Sequence, residues 1–140
     1  MGKFNLNRWA AASVAAGVLM WICEGAASAL YMEDMQAAMK AHNLSMEMSA
    51  TMIAITLGIS LIAGFAMMFL YAASLPRFGA GVKTAALVAF VLWTGGYLLS
   101  LLGYYMVGLY PTGMLVQWGA VGLVEMILAA TLGARIYRDA

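Results

Sequence analysis

Four long apolar runs, separated by short polar breaks, dominate the pattern along the chain. They cover residues 9–31, 49–73, 84–109 and 113–135. Each reaches or exceeds the ~20 residues that cross a hydrocarbon core as a helix. A strand of a membrane barrel would alternate apolar and polar positions, and these runs do not. In lipid, such segments satisfy their backbone groups only as helices. The pattern predicts an all-α membrane protein, a single four-helix transmembrane bundle spanning residues 1–140.

The breaks refine this plan. Between the second and third runs stands SLPRFGAGVKTA. Pro76 is expected to stop the second helix, and Gly79 and Gly81 to supply turn dihedrals. The break around Tyr110-Pro111-Thr112-Gly113 is very short, which makes the third and fourth helices antiparallel neighbours, with Pro111 in the first turn of the fourth. The longest break is MEDMQAAMKAHNLSMEM, residues 32–48. Its Met32, Met35, Met39, His42 and Met46 recur at alternating spacings of three and four, which puts them on one face of a short helix. Asn43 is the candidate cap for the helix that follows. The chain shows no internal repeat of the kind that marks inverted-repeat transporters.

Composition agrees with lipid as the main solvent. Only 9% of residues are charged, against about 25% in an ordinary soluble domain. The net charge of +1 gives no case for nucleic acid, and the lone Cys23 excludes an intrachain disulfide. Lys3 and Arg8, Arg77 and Lys83, and Arg135 and Arg138 fall at alternate breaks, so both termini are expected in the cytoplasm. Lys3 and Arg8 before an apolar run, and Ala27-Ser28-Ala29 after it, resemble a signal peptide. The run continues to Tyr31, however, and is read as a retained span.

Several stretches resemble an uncharacterised family of small bacterial four-helix integral membrane proteins. They are Leu70-Tyr71-Ala72, Pro76-Arg77-Phe78-Gly79 with Gly81 and Lys83-Thr84-Ala85, Gly122-Leu123-Val124-Glu125, and the ending Gly133-Ala134-Arg135-Ile136-Tyr137-Arg138-Asp139. A glutamate late in the first helix adds to the likeness. The resemblance implies a multi-pass protein of the bacterial inner membrane and brings no catalytic residues. The long Met-rich break is not part of it.

Two carboxylates stand inside the apolar runs, Glu24 in the first and Glu125 in the fourth. Counted from the outer ends they lie roughly 10 and 18 Å deep, too deep for so short a side chain to reach water. A low dielectric disfavours the charged form of an unpaired carboxyl, so a neutral, hydrogen-bonded Glu125 is expected. Candidate partners at the depth of Glu24 are Thr56, Ser100 and Tyr104; at the depth of Glu125 they are Ser60 and Tyr97. Trp21, Trp93, Tyr97 and Trp118 could line a pocket beside them, where ring faces would favour a cation. Three functions fit. The first is binding or transport of a proton, cation or lipophilic small molecule at the carboxylates. The second is a structural or accessory subunit in which the glutamates join helices. The third is Cu(I) handling by the Met/His face, since thioethers are soft ligands. No other cofactor is predicted. Four short helices make a tight monomer, so a homo-oligomer or a larger membrane complex is expected. No nucleophile, phosphate loop or metalloprotease motif supports an enzyme.

Overall fold

The computed structural model describes residues 4–45 and 47–137. It contains four long apolar helices and, among the described residues, no strand. The first, α1, is Leu6–Ala27, prolonged by a 3-10 turn at Ser28–Leu30. A short helix α2, Met32–Ala41, follows. The others are α3, Ala50–Phe78, α4, Val82–Met106, and α5, Thr112–Ile136. Each of the four long helices is apolar and long enough to cross a bilayer. Their outward faces carry apolar side chains such as Ile55, Ile62, Phe69, Leu99 and Val124, all exposed, as lipid contact requires.

Helix α1 packs against α3 and α5, and α4 packs against the same two helices. Consecutive long helices are therefore neighbours, and α1 and α4 occupy opposite corners. The first and last described residues meet at one end of the bundle. Arg8 Nη1 donates to the Ile136 carbonyl at 3.3 Å, and the rings of Phe4 and Tyr137 lie 6.2 Å apart. This is the near end below; the Met-rich segment lies at the far end.

Polar residues at the breaks set the helix boundaries. Asn5 caps α1 by accepting from the Arg8 N–H at 3.1 Å, and Ser49 caps α3 by accepting from Met52 N–H at 3.2 Å. Asn43 is not that cap. It follows α2 with a positive φ of 56°, a conformation that asparagine tolerates, and so ends one helix instead of starting the next. Pro76 does not stop α3 either, which continues two residues further, to Phe78. So close to a helix end, proline forfeits one intrahelical bond without breaking a long ladder. The stop is Gly79, at φ 73°, whose carbonyl accepts from Thr84 Oγ1 at 2.7 Å. Pro111 sits just before α5, in the N-cap position, not within its first turn.

Small residues and methionines fill the core. Ala12, Ala16 and Met20 of α1 meet Met67, Met68 and Tyr71 of α3, Ala85, Val88 and Ala89 of α4, and Met126, Ala129 and Ala130 of α5. With lipid as solvent there is little hydrophobic drive between helices, so close backbone approach supplies the contact. The tightest approach is the α1–α3 crossing. A Cβ on Gly17 would lie 2.8 Å from both the Ser60 oxygen and the Leu61 Cα. One on Gly64 would meet the Ser13 oxygen and the Gly17 backbone.

The fourth helix in the chain is not uniform. At Trp93–Leu98, WTGGYL, α4 widens into a π-helical turn. Such turns insert an extra residue into an α-helix and often occur at functional sites.

Candidate functional site

Both glutamates face the bundle interior and converge. Glu24 leaves α1 and Glu125 leaves α5, and the charge of Glu24 acts on the Glu125 carboxyl. A count along the helices places them at different depths, but side chains tilt toward the N-terminus of their own helix. The two helices are antiparallel, so Glu24 leans toward the near end and Glu125 toward the far end. The carboxyls close the gap that the backbone leaves.

Glu24 is partly buried and accepts from three neutral donors on three segments. Its Oε1 accepts from the Tyr31 hydroxyl and from Trp118 Nε1, the latter at 3.0 Å. Its Oε2 accepts from the Tyr97 hydroxyl at 3.2 Å. Tyr31 belongs to the turn after α1, Trp118 to α5 and Tyr97 to the π turn of α4. The Tyr97 bond thus crosses the bundle between its two opposite corners. Glu125 is 6% exposed, and its Oε2 is buried with no hydrogen-bond partner.

An aromatic cluster holds these donors. The Trp118 ring stacks on Tyr104 at 6.1 Å and 4°, and meets Tyr31 at 5.7 Å, Tyr97 at 6.2 Å and Tyr110 at 6.1 Å. Beneath it, Gly122 makes room for the Tyr97 ring, because a Cβ there would stand 2.5 Å from the ring Cζ. Gly122→Ala is therefore expected to push Tyr97 off Glu24 and to cost about 1–3 kcal/mol of stability. In a Tyr97→Ala background the same change should be nearly neutral in thermal unfolding. Equal cost in both backgrounds would mean that the glycine serves something other than the ring.

The expected partners are redistributed. Tyr97 reaches Glu24 instead of Glu125, for the reason of tilt just given. Thr56 accepts from Trp21 Nε1 at 3.2 Å, so these two residues satisfy each other away from the glutamates. Ser100 donates to the Gly96 carbonyl of its own helix at 2.7 Å. Ser60 lies at the α1–α3 crossing, where its carbonyl faces Gly17. Trp93 Nε1 donates to the Gly119 carbonyl at 2.9 Å and ties α4 to α5. Tyr104 does not bond Glu24 but supports Trp118, which does. Tyr31 is the donor that reading by depth missed. Its position seven residues after Glu24, two turns along the same face, was the available signal.

Two clefts lie nearby, one touching Glu125 and one touching the Glu24 donors Tyr97 and Trp118. One, of about 340 Å³, lies between α1 and α5 and is lined by Cys23, Val121, Val124, Leu128 and Glu125. The other, of about 350 Å³, is bounded by α3, α4 and α5 and includes Tyr97, Tyr104 and Trp118 in its wall.

No match to this chain emerged from comparison with protein-family models, curated proteins or solved structures. What the site does must follow from its own atoms. The Met/His face is partly used in packing: Met35 is buried with Tyr31 and Met114, and Met39 packs against that cluster. Met32 is half-buried. The His42 Nδ1 lies 2.8 Å from the Ala38 carbonyl oxygen and is exposed. Met46 lies outside the described residues. Among the described residues, no group of three or more His, Cys, Asp or Glu is placed to hold a metal ion.

Proposed function

We propose that this multi-pass membrane protein takes up a proton or a cation at the carboxyl pair Glu24–Glu125. The observation that carries this reading is the pair itself: two facing carboxyls, one held by three neutral donors and one with a buried, unpartnered oxygen. The lysines and arginines of the sequence all lie at or beyond the ends of the spans, so none serves as a resident counter-ion. Two adjacent carboxyls in a low dielectric cannot both carry charge without a large cost, and a shared proton or a bound cation removes it. An intramembrane carboxylate in this position serves ion or proton pathways more often than it serves packing.

The distribution of Lys and Arg supports termini on the cytoplasmic side. The family resemblance supports a bacterial inner membrane. A single domain of four tight helices supports action as a homo-oligomer or within a larger complex.

Infrared titration of the full chain in lipid nanodiscs tests the site. The wild type should show a carboxylic-acid carbonyl band that changes with pH, and Glu125→Gln should remove it while the helical amide bands stay. A band and titration unchanged in both Glu125→Gln and Glu24→Gln would end the proposal. The structural alternative rests on the donor set, which ties three helices through Glu24. It predicts stability losses in Glu24 variants with no titrating band in the wild type.

A further inference from the structure

The cleft behind the aromatic cluster is lined in part by the π turn. Gly96 lies in that turn and lines the cleft, together with Ile59 of α3, Tyr97, Ser100 and Tyr104 of α4, and Trp118 of α5. A Cβ on Gly96 would meet nothing within 4 Å. The missing side chain therefore leaves an open gap on the exposed flank of α4, beside α3, at a depth where the surroundings are hydrocarbon. At about 350 Å³ the cleft is within the range of small-molecule sites, roughly 300–1,000 Å³.

The cleft wall has a particular chemistry. Tyr97 and Trp118 line it, and the polar tips of both point to Glu24. A molecule in the cleft thus lies against aromatic rings whose hydrogen-bonding groups are already committed to a carboxylate. Ring quadrupoles and the carboxylate both attract positive charge. Ile59, Ala63, Leu92, Leu101 and Met126 make the aliphatic part of the wall, and the Ser100 hydroxyl there is spent on the Gly96 carbonyl.

We infer that the cleft admits a lipophilic organic cation from the bilayer, past Gly96, to a seat on Tyr97, Tyr104 and Trp118, the first and last of which hold Glu24 behind them. This deepens the carboxyl-pair reading and rests on it, by naming the class of cation and the route. The apolar groups of the ligand fill the aliphatic wall. Its charge is balanced by Glu24, with no covalent step. Release follows when the carboxyl pair takes up a proton in its place.

The test uses the full chain in phosphatidylcholine nanodiscs, with tetraphenylphosphonium as probe and uncharged triphenylphosphine oxide as its comparison, after subtraction of empty-disc partitioning. The wild type should bind the cation about tenfold or more tightly than the neutral probe. Gly96→Leu should lose that binding by about tenfold or more. Gly95→Leu, on the same turn, also with open space at its Cβ but not in the cleft wall, should bind as the wild type does. Both leucines project into open space, so folding should survive in each, and circular dichroism checks it. Equal binding in Gly96→Leu and wild type, or no preference for the cation in the wild type, overturns the inference. In either event the infrared titration of the carboxyl pair is unaffected, so a wrong route is distinguishable from a wrong site.

Discussion

Glu24→Leu is expected to destabilise the bundle by about 2–5 kcal/mol, taking three lost hydrogen bonds, two of them between helices, at measured membrane values of about 0.6 to 1.7 kcal/mol each. Tyr31, Tyr97 and Trp118 would lose their shared acceptor at once. Two of the three are hydroxyls that can rotate toward a carbonyl, which holds the loss toward the lower figure. The Trp118 N–H has no such freedom, since its ring is packed against Tyr31, Tyr97, Tyr104 and Tyr110. Glu24→Gln keeps one acceptor oxygen and should fall between wild type and leucine. The measurement is equilibrium unfolding in mixed micelles, with tryptophan emission as a second probe of the Trp118 environment. A leucine variant as stable as the wild type would mean that the three donors find equal partners elsewhere. The knot around Glu24 would then not hold the far end together.

The second large effect concerns a glycine with no chemistry. Gly64→Ala adds only a methyl group, and that methyl would meet the Ser13 carbonyl oxygen and the Gly17 backbone. No rotamer change can relieve a contact between Cβ and main chain, so α1 and α3 must separate. Overpacking of this kind costs about 1–3 kcal/mol, occasionally more, and it opposes a helix-propensity gain of about 1 kcal/mol for replacing glycine with alanine. The clash should win, for a net loss of about 1–2 kcal/mol. Gly58→Ala is the matched control, because it stands on the same helix with nothing within 4 Å of its Cβ. It should be neutral or stabilising. A Gly64→Ala protein as stable as Gly58→Ala would show that the crossing is looser than its geometry.

The spans are legible in the sequence because lipid imposes a single demand, a continuous apolar run, and the four runs meet it. Glu24 and Glu125 are legible for the same reason inverted: each is a charge where that demand is strictest. The partners of Glu24 were harder to read. Depth counted along the backbone assigned Tyr97 to Glu125, and the tilt of side chains on antiparallel helices reversed the assignment. Thr56 and Trp21 share the right depth but point to each other. Asn43 and Pro76 carry the usual signals of a cap and a stop, yet Ser49 and Gly79 perform those tasks. A cap is decided by which backbone turns there, and several neighbouring residues were suited to it.

The π turn has one further consequence, which concerns phase. Along the near half of α4 the inward positions are Thr84, Ala85, Val88, Ala89 and Leu92. Continued at 3.6 residues per turn, that stripe would run through Leu99 and Gly103. Leu99 is 59% exposed, and the inward positions are instead Tyr97, Leu101 and Tyr104. The turn has moved the far half of the helix on by about one residue, or roughly 100° of rotation. The same residues wound as an uninterrupted α-helix from Trp93 to Leu98 would keep the same hydropathy profile and the same four spans. Tyr97 and Tyr104 would then face lipid, and Glu24 would lose the donor that reaches it across the bundle. The winding of a six-residue segment, and not its hydropathy, separates a bundle with this site from a bundle without it.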